Sequence, residues 1–279
     1  MSGAGSQAVV APFDGVADRY DDVFTGSKIG QAQRSAVWKE LGNTFHSGDR
    51  VLEIGCGTGV DACFLAEHGV NVVACDISPR MIAVARRRFA SHPCAALVEP
   101  LVLAAEEIDT LRGGDLFDGA FSNFGALNCV REMRSLAIAM ATLLRPGAQA
   151  LLCLMGPSCL WEIVSYLAKA NPAKAFRRFN RGGSTARLSQ GGSVHVYYPS
   201  LRSLSRAFSP EFSLESVKGI GVTVPPSYME SAVGKFPGLL LTAVSTDSFL
   251  AHCPGIRLLA DHILIRFKRR EVKVDRVAE

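Results

Sequence analysis

Residues 51–54 (Val51, Leu52, Glu53, Ile54) form a short run that is apolar but for one acid, and glycines follow at Gly55, Gly57 and Gly59. An unalternating run of this length is the pattern of a strand buried on both faces, as in a parallel sheet. Helical spacing resumes from Val60, so the segment predicts a strand, a glycine turn and a helix. The pattern recurs downstream. A second apolar strand over 70–75 ends at Asp76, and a helix is predicted from Pro79. Third and fourth strands are expected over 101–103 and from 116 onward. A helix over 131–144 stops at Leu144-Arg145-Pro146-Gly147, which leads to a fifth strand at 149–155. Sixth and seventh strands are expected at 212–217 and 262–267. Ahead of them Phe13, Val16, Ala17 and Tyr20 stand at helical spacing, and 31–45 forms a second helix through Ala32, Val37, Trp38 and Leu41. Strands alternating with helices predict an α/β, doubly wound sheet.

The glycines at alternate positions let the backbone take torsions closed to other residues and let a ligand lie against the main chain. A dinucleotide fingerprint needs G-x-G-x-x-G, and Val60 stands where its third glycine belongs. The arrangement Glu53-x-Gly55-Cys56-Gly57-x-Gly59 instead resembles the first motif of class I S-adenosylmethionine-dependent methyltransferases of the small-molecule type. Asp76, closing the second strand, is where a carboxylate can accept both ribose hydroxyls. An ordinary helix cap is the alternative role for this acid. The Phe13 to Asp21 segment and the L-R-P-G stop are similar to the same family.

The resemblance implies a Rossmann-like sheet of seven strands with the last antiparallel, plus an inserted cap, and S-adenosylmethionine as cofactor. It places Tyr20 in a lid over the pocket, Glu53 to Gly59 around the methionyl tail, and Ile77 and Met81 beside the adenine. Arg34 is read either as a two-pronged partner for the cofactor's carboxylate or as a surface charge. The family's G-D-A-E stretch is Ala104-Ala105-Glu106 in part here, so one adenine contact is lost; the Ala105 N–H and Glu106 remain. Ser122-Asn123-Phe124-Gly125 resembles the family's fourth motif, with Asn123 and Asn128 able to bind substrate or to shape a turn. It differs from the signature of enzymes that methylate base amines or glutamine.

Expected organisation is a flexible tail at 1–11, a cofactor-binding core with lid helices at 12–155, a cap insertion at 156–211, final strands with a second insertion at 212–270, and a tail at 271–279. Within the cap a helix is expected from Trp161 to Ala170. Lys169, Lys174, Arg177, Arg178, Arg181 and Arg187 follow, as a solvated face or an anion-receiving gate. A Gly191-Gly192 turn precedes the alternating His195 to Tyr198. His195 is either the general base, with Tyr197 orienting it, or a structural histidine. Tyr198 and Tyr228 would line the substrate pocket, and cap aromatics including Phe236 favour a small, partly apolar substrate. His252 and His262 read as surface or strand residues.

Composition narrows rather than redirects this picture. The 279-residue chain has a net charge of +4, a pI near 8.7 and mean hydropathy of +0.18, so nothing demands a polyanionic partner. Its eight cysteines lack C-x-x-C spacing and suit buried thiols in a reducing compartment, so the expectation is a cytoplasmic protein with no metal site. No stretch suits a membrane span. The expected protein is a monomer or homodimer that methylates an N, O or C nucleophile of a metabolite or natural-product intermediate. A protein or RNA methyltransferase and a non-catalytic S-adenosylmethionine-binding module are the alternatives.

Overall fold

The computed structural model describes residues 11–188, 192–233 and 237–271. The tails expected at 1–11 and 271–279 thus lie outside it except for Ala11, which is buried, and Glu271. Gly191 and Phe236 also lie outside. Nine strands are present among the described residues: β1 (Arg50–Ile54), β2 (Asn71–Asp76), β3 (Val98–Val102), β4 (Phe117–Ser122), β5 (Leu144–Leu154), β6 (Ser184–Arg187), β7 (Ser193–Val196), β8 (Phe212–Ile220) and β9 (His262–Arg269). Seven form one sheet in the order β3-β2-β1-β4-β5-β9-β8, and β6 pairs with β7 in a separate hairpin. The last strand, β9, runs antiparallel to both β5 and β8, so it lies inside the sheet rather than at its edge.

Alternate residues of the central strands enter the two hydrophobic layers. Leu52, Ile54, Val73 and Cys75 face one layer; Val51, Val72 and Ala74 face the other. The helices α1 (Lys28–Gly42), α2 (Val60–Glu67) and α3 (Pro79–Ala90) cover the second layer through Val37, Leu41, Leu65, Ile82 and Phe89. The first is covered by α4 (Met133–Leu143), through Leu136 and Met140.

Beyond β5 come α5 (Leu160–Ala168), α6 (Pro172–Ala175), the hairpin, and α7 (Leu201–Phe208); α8 (Glu230–Val233) and α9 (Pro237–Leu250) fill the second insertion. Helix α7 belongs to the core despite lying in 156–211, because Leu204 and Phe208 are wholly buried against α4 and the sheet.

Three boundaries differ from expectation. Strand β3 starts at Val98 and includes Pro100, which an edge strand tolerates because only one side needs its ladder bonds. Strand β5 begins at Leu144, with its register against β4 shifting across the Pro146-Gly147 corner. The segment from Asp14 to Arg19 forms a 3-10 helix, followed by a π-helical turn at Asp21–Thr25, not one α-helix. Since β1 neighbours both β2 and β4, the strand order reverses there, and the crevice outside the carboxyl ends of β1 and β4 is where such sheets receive ligands.

Candidate active site

The turn after β1 uses its glycines differently. Gly55, Gly57 and Gly59 all have positive φ (76°, 54° and 77°). A Cβ at Gly55 would sit 2.3 Å from the Ala126 Cβ, and one at Gly59 2.4 Å from the Phe89 ring, so these two permit close packing; a Cβ at Gly57 would meet nothing. Gly57 therefore serves conformation and leaves the loop face open. Asp76 braces that loop: its Oδ2 accepts from the Gly57 N–H at 2.9 Å and its Oδ1 from the Ser78 N–H at 2.8 Å. Burial raises its pKa, opposed by those two bonds. Ser78, not Asp76, caps α3 by accepting from the Met81 N–H.

A buried polar group organises the other side of the loop. Asp61, on the first turn of α2, accepts from the Arg34 Nη1 (2.6 Å), the Trp38 Nε1 (2.7 Å) and the Asn123 Nδ2 (2.9 Å). Arg34 is buried, which excludes its reading as a surface charge. Burial works against its cationic form, but Asp61 more than offsets this and raises its pKa. Its guanidinium carbon also lies 5.0 Å from the Phe124 ring centroid.

Glu53 on β1 is 1% exposed. Burial first, and then the charge of Asp61, push its carboxyl well above the usual range, while Arg34 opposes them. Glu53 Oε2 and Arg34 Nε are both buried without a hydrogen-bond partner. A cationic group entering beside Glu53 and a carboxylate beside Arg34 would complete these two, which suits the ammonium, sulfonium and carboxylate of a methionyl tail. Tyr20, Arg34, the turn residues Gly55 to Thr58, Asn123 and Phe124 line a small cleft of about 30 Å³ here. Burial pushes the Tyr20 phenol up to about 12.

Gly55 also borders a second, larger cavity of about 320 Å³. Its walls are Ile77, Leu103, Ala105 and Glu106 from the strand ends, Phe13 from the lid, and His195 and Tyr197 from the cap. An apolar slot beside Asp76 fits an adenosyl group. The lid is tied down by acids: Asp14 accepts from the Ser78 hydroxyl, Asp18 pairs with Arg80 and Arg87, and Asp21 with Arg88 and the Thr58 hydroxyl.

The cap hairpin carries His195 opposite Thr185. The His195 Nε2 lies 2.6 Å from the Gly182 carbonyl, which can only accept, so Nε2 carries the proton and Nδ1 the lone pair. The Tyr197 ring packs 4.6 Å from the imidazole.

Several expected site residues do other work. Met81 is buried in α3 and lines neither cavity; Ile77 and Leu103 form that part of the larger one instead. The Ser122 hydroxyl donates to the Ile54 carbonyl at 2.7 Å, joining β4 to β1. Asn128 is fully buried and lines neither cavity: Nδ2 donates to the Met155 and Tyr197 carbonyls, and Oδ1 accepts from the Met155 N–H. It staples the cap to the sheet. Tyr198 pairs with the Ser184 hydroxyl at 3.1 Å, and Tyr228 is 54% exposed; neither lines either cavity.

The basic segment is likewise divided. Glu162 accepts from both Arg177 and Arg178, and Arg178 also reaches Asp261 at 2.8 Å, so these arginines close a buried network. Burial alone would raise the Glu162 carboxyl, yet the two guanidiniums hold it below the usual range. An anion gate built on Arg177 and Arg178 is therefore excluded.

Two residues were missed from the sequence. Asp61 looks like an ordinary first-turn acid, which any helix favours. His262 opens β9, is buried, and meets the Phe124 ring edge-on at 5.5 Å. Burial lowers its pKa against the pull of Asp261, and its Nδ1 has no hydrogen-bond partner. Phe124 itself holds φ +45°, rare for an aromatic residue, as it turns from β4 into the site. All eight cysteines are free, and no cluster of three metal-binding side chains exists among the described residues.

Residues 51–147, which contain the turn, Asp76 and the β4 loop, match a family described as a methyltransferase domain. A demethylmenaquinone methyltransferase of Mycobacterium marinum is 32% identical over 177 residues, 60% of this chain and 69% of that protein. Its counterpart in Clavibacter sepedonicus is 32% identical over 145 residues, 52% of this chain and 57% of the relative's length. Among solved structures, the CcbJ methyltransferase of Streptomyces caelestis superposes with a TM-score of 0.61 at 16% identity, covering 94% of this chain and 99% of that one, a likeness of fold.

Proposed function

Because the chain belongs to the class I S-adenosylmethionine-dependent methyltransferases, we propose that it transfers a methyl group to an N, O or C nucleophile of a small, partly apolar metabolite. The reading is carried by one observation: the unpartnered Glu53 Oε2 and Arg34 Nε lie buried beside a glycine turn of which Gly57 borders the small cleft and Gly55 both that cleft and the apolar cavity. S-adenosylmethionine supplies an electrophilic methyl group on a sulfonium.

The chain's own residues would do the rest. Asp76 has acceptor capacity left on both oxygens for ribose hydroxyls. Ile77, Leu103 and the Ala105 N–H border the adenine position. Glu53 and Arg34 hold the charged tail, and Phe13 with the Asp14, Asp18 and Asp21 ties closes the lid against water. At the cap end His195 Nδ1 takes a proton from a hydroxyl or enol as the acceptor's nucleophile engages, with Tyr197 fixing the ring plane.

The relatives named for demethylmenaquinone make that compound the first acceptor to try. The apolar cavity, and the engagement of Arg177 and Arg178 by Glu162 and Asp261, favour a small molecule over protein or RNA. The test is methyl transfer from labelled S-adenosylmethionine to demethylmenaquinone, related phenols and metabolite extracts. Turnover on one of these supports the reading; binding with no turnover across them would favour a silent cofactor module.

A further inference from the structure

The charge of this protein is concentrated in its cap. Residues 156–192 carry six cations (Lys169, Lys174, Arg177, Arg178, Arg181, Arg187) against the single acid Glu162, a net of +5 in a chain whose total is +4. Arg177 and Arg178 neutralise themselves on buried Glu162 and Asp261, but Lys169, Lys174, Arg181 and Arg187 are exposed and have no carboxylate within 4 Å among the described residues.

The same segment exposes apolar side chains in an ordered way. Leu160, Val164 and Leu167 stand at i, i+4 and i+7 of α5, one face of the helix, and are 41% to 55% exposed. The ammoniums of Lys169, which ends that helix, and of Lys174 in α6 both approach the ring of Tyr166 in its last turn, at 5.8 and 5.7 Å. Phe176 and Phe179, their rings 6.0 Å apart, are also about half exposed. Helix α5 is far too short to span a bilayer, and no helix among the described residues is long and apolar enough to do so. Lying on a surface is a different matter: an apolar stripe with cations beside it fits the boundary between headgroups and acyl chains.

We propose that this cap face docks on an anionic lipid bilayer. Leu160, Val164 and Leu167 enter the interface, and Lys169 and Lys174 meet the lipid phosphates. Nucleic acid matches the charge but not the aliphatic stripe, which has no face for base stacking. A second copy would bring like charges together across the contact. Hairpin β6–β7, in the same insertion, carries the His195 wall of the cavity. On the methyltransferase reading, docking would present that wall to acceptors dissolved in lipid.

Flotation of the full chain with vesicles tests the surface without relying on catalysis. The protein should float with phosphatidylcholine vesicles containing phosphatidylglycerol and far less with phosphatidylcholine alone. Lys169→Gln with Lys174→Gln should lower the partition onto the anionic vesicles about thirtyfold, and Val164→Asp with Leu167→Asp should abolish it. Calorimetric S-adenosylmethionine binding by both variants should match wild type, which reports intact folding. Equal partition onto both vesicle types, no change in either variant, or capture by an RNA oligonucleotide in place of vesicles would overturn the proposal. A protein that methylates a detergent-dispersed acceptor but does not float refutes the surface alone; one that floats but never methylates refutes only the catalytic reading.

Discussion

The turn after β1 and the cap hairpin face the same cavity but are built by opposite means. Around the turn, the buried Asp61 accepts three side-chain donors, Asp76 accepts two backbone N–H groups, and Glu53 is nearly inaccessible. On the hairpin, His195 is exposed and makes one hydrogen bond, to the Gly182 carbonyl. The first arrangement is rigid and interdependent, as suits a ligand that must always be gripped alike. The second leaves side chains free to suit one acceptor, and its residues can be exchanged without disturbing the fold.

Breaking the interdependent half should cost most. Asp61→Asn leaves Arg34 as a buried charge without its partner and should destabilise the protein by about 3–5 kcal/mol, read from urea unfolding. A loss below about 1 kcal/mol would mean that the pair behaves like a surface ion pair.

Glu53→Gln separates binding from stability. S-adenosylmethionine affinity should fall roughly hundredfold, since a charge-assisted contact is lost. The protein without cofactor should become more stable. Because the folded-state pKa of Glu53 is raised, its stabilising contribution is present below the ordinary carboxylate value of about 4.3 and is lost as pH rises through the folded value. The advantage of Glu53→Gln should therefore grow as pH rises from 5 to 8 in thermal unfolding scans. An advantage that shrinks with pH would assign the carboxylate to the ground state.

On the hairpin, His195→Gln should leave unfolding unchanged while lowering kcat about hundredfold, the low end for a general base. A fall in stability with kcat unmoved would make His195 structural. The smallest expected effect is at Gly57→Ala. No side chain is in the way, so only the left-handed backbone penalty of about 1–2 kcal/mol applies, measured as a shift in the urea midpoint.

The same contrast explains which parts were legible in the sequence. The sheet and the turn could be read because Val72 to Cys75 and Ala150 to Leu154 are unalternating apolar runs and because Glu53, Gly55, Gly57, Gly59 and Asp76 each have a job that few residue types can do. Asp61 and His262 escaped because their roles depend on partners far along the chain: Arg34, Trp38 and Asn123 for one, Phe124 for the other. The sequence leaves Asn128 open between substrate and turn, and sets Ser122 in a ligand motif, for a related reason. A polar residue in a loop advertises its hydrogen-bonding capacity but not that Met155, Tyr197 or Ile54 has already taken it. Arg177 and Arg178 likewise read as free charge until Glu162 and Asp261 are placed beside them.

Calorimetric titration of S-adenosylmethionine into the protein, in buffers of different ionisation enthalpy, addresses the central claim most directly. Burial holds the Glu53 carboxyl well above the usual range, and an arriving cation should draw it back down, so binding should be accompanied by proton release, give heat that varies with buffer and tighten as pH rises. Binding with no buffer dependence, or no heat from S-adenosylmethionine while NAD binds, would contradict the account.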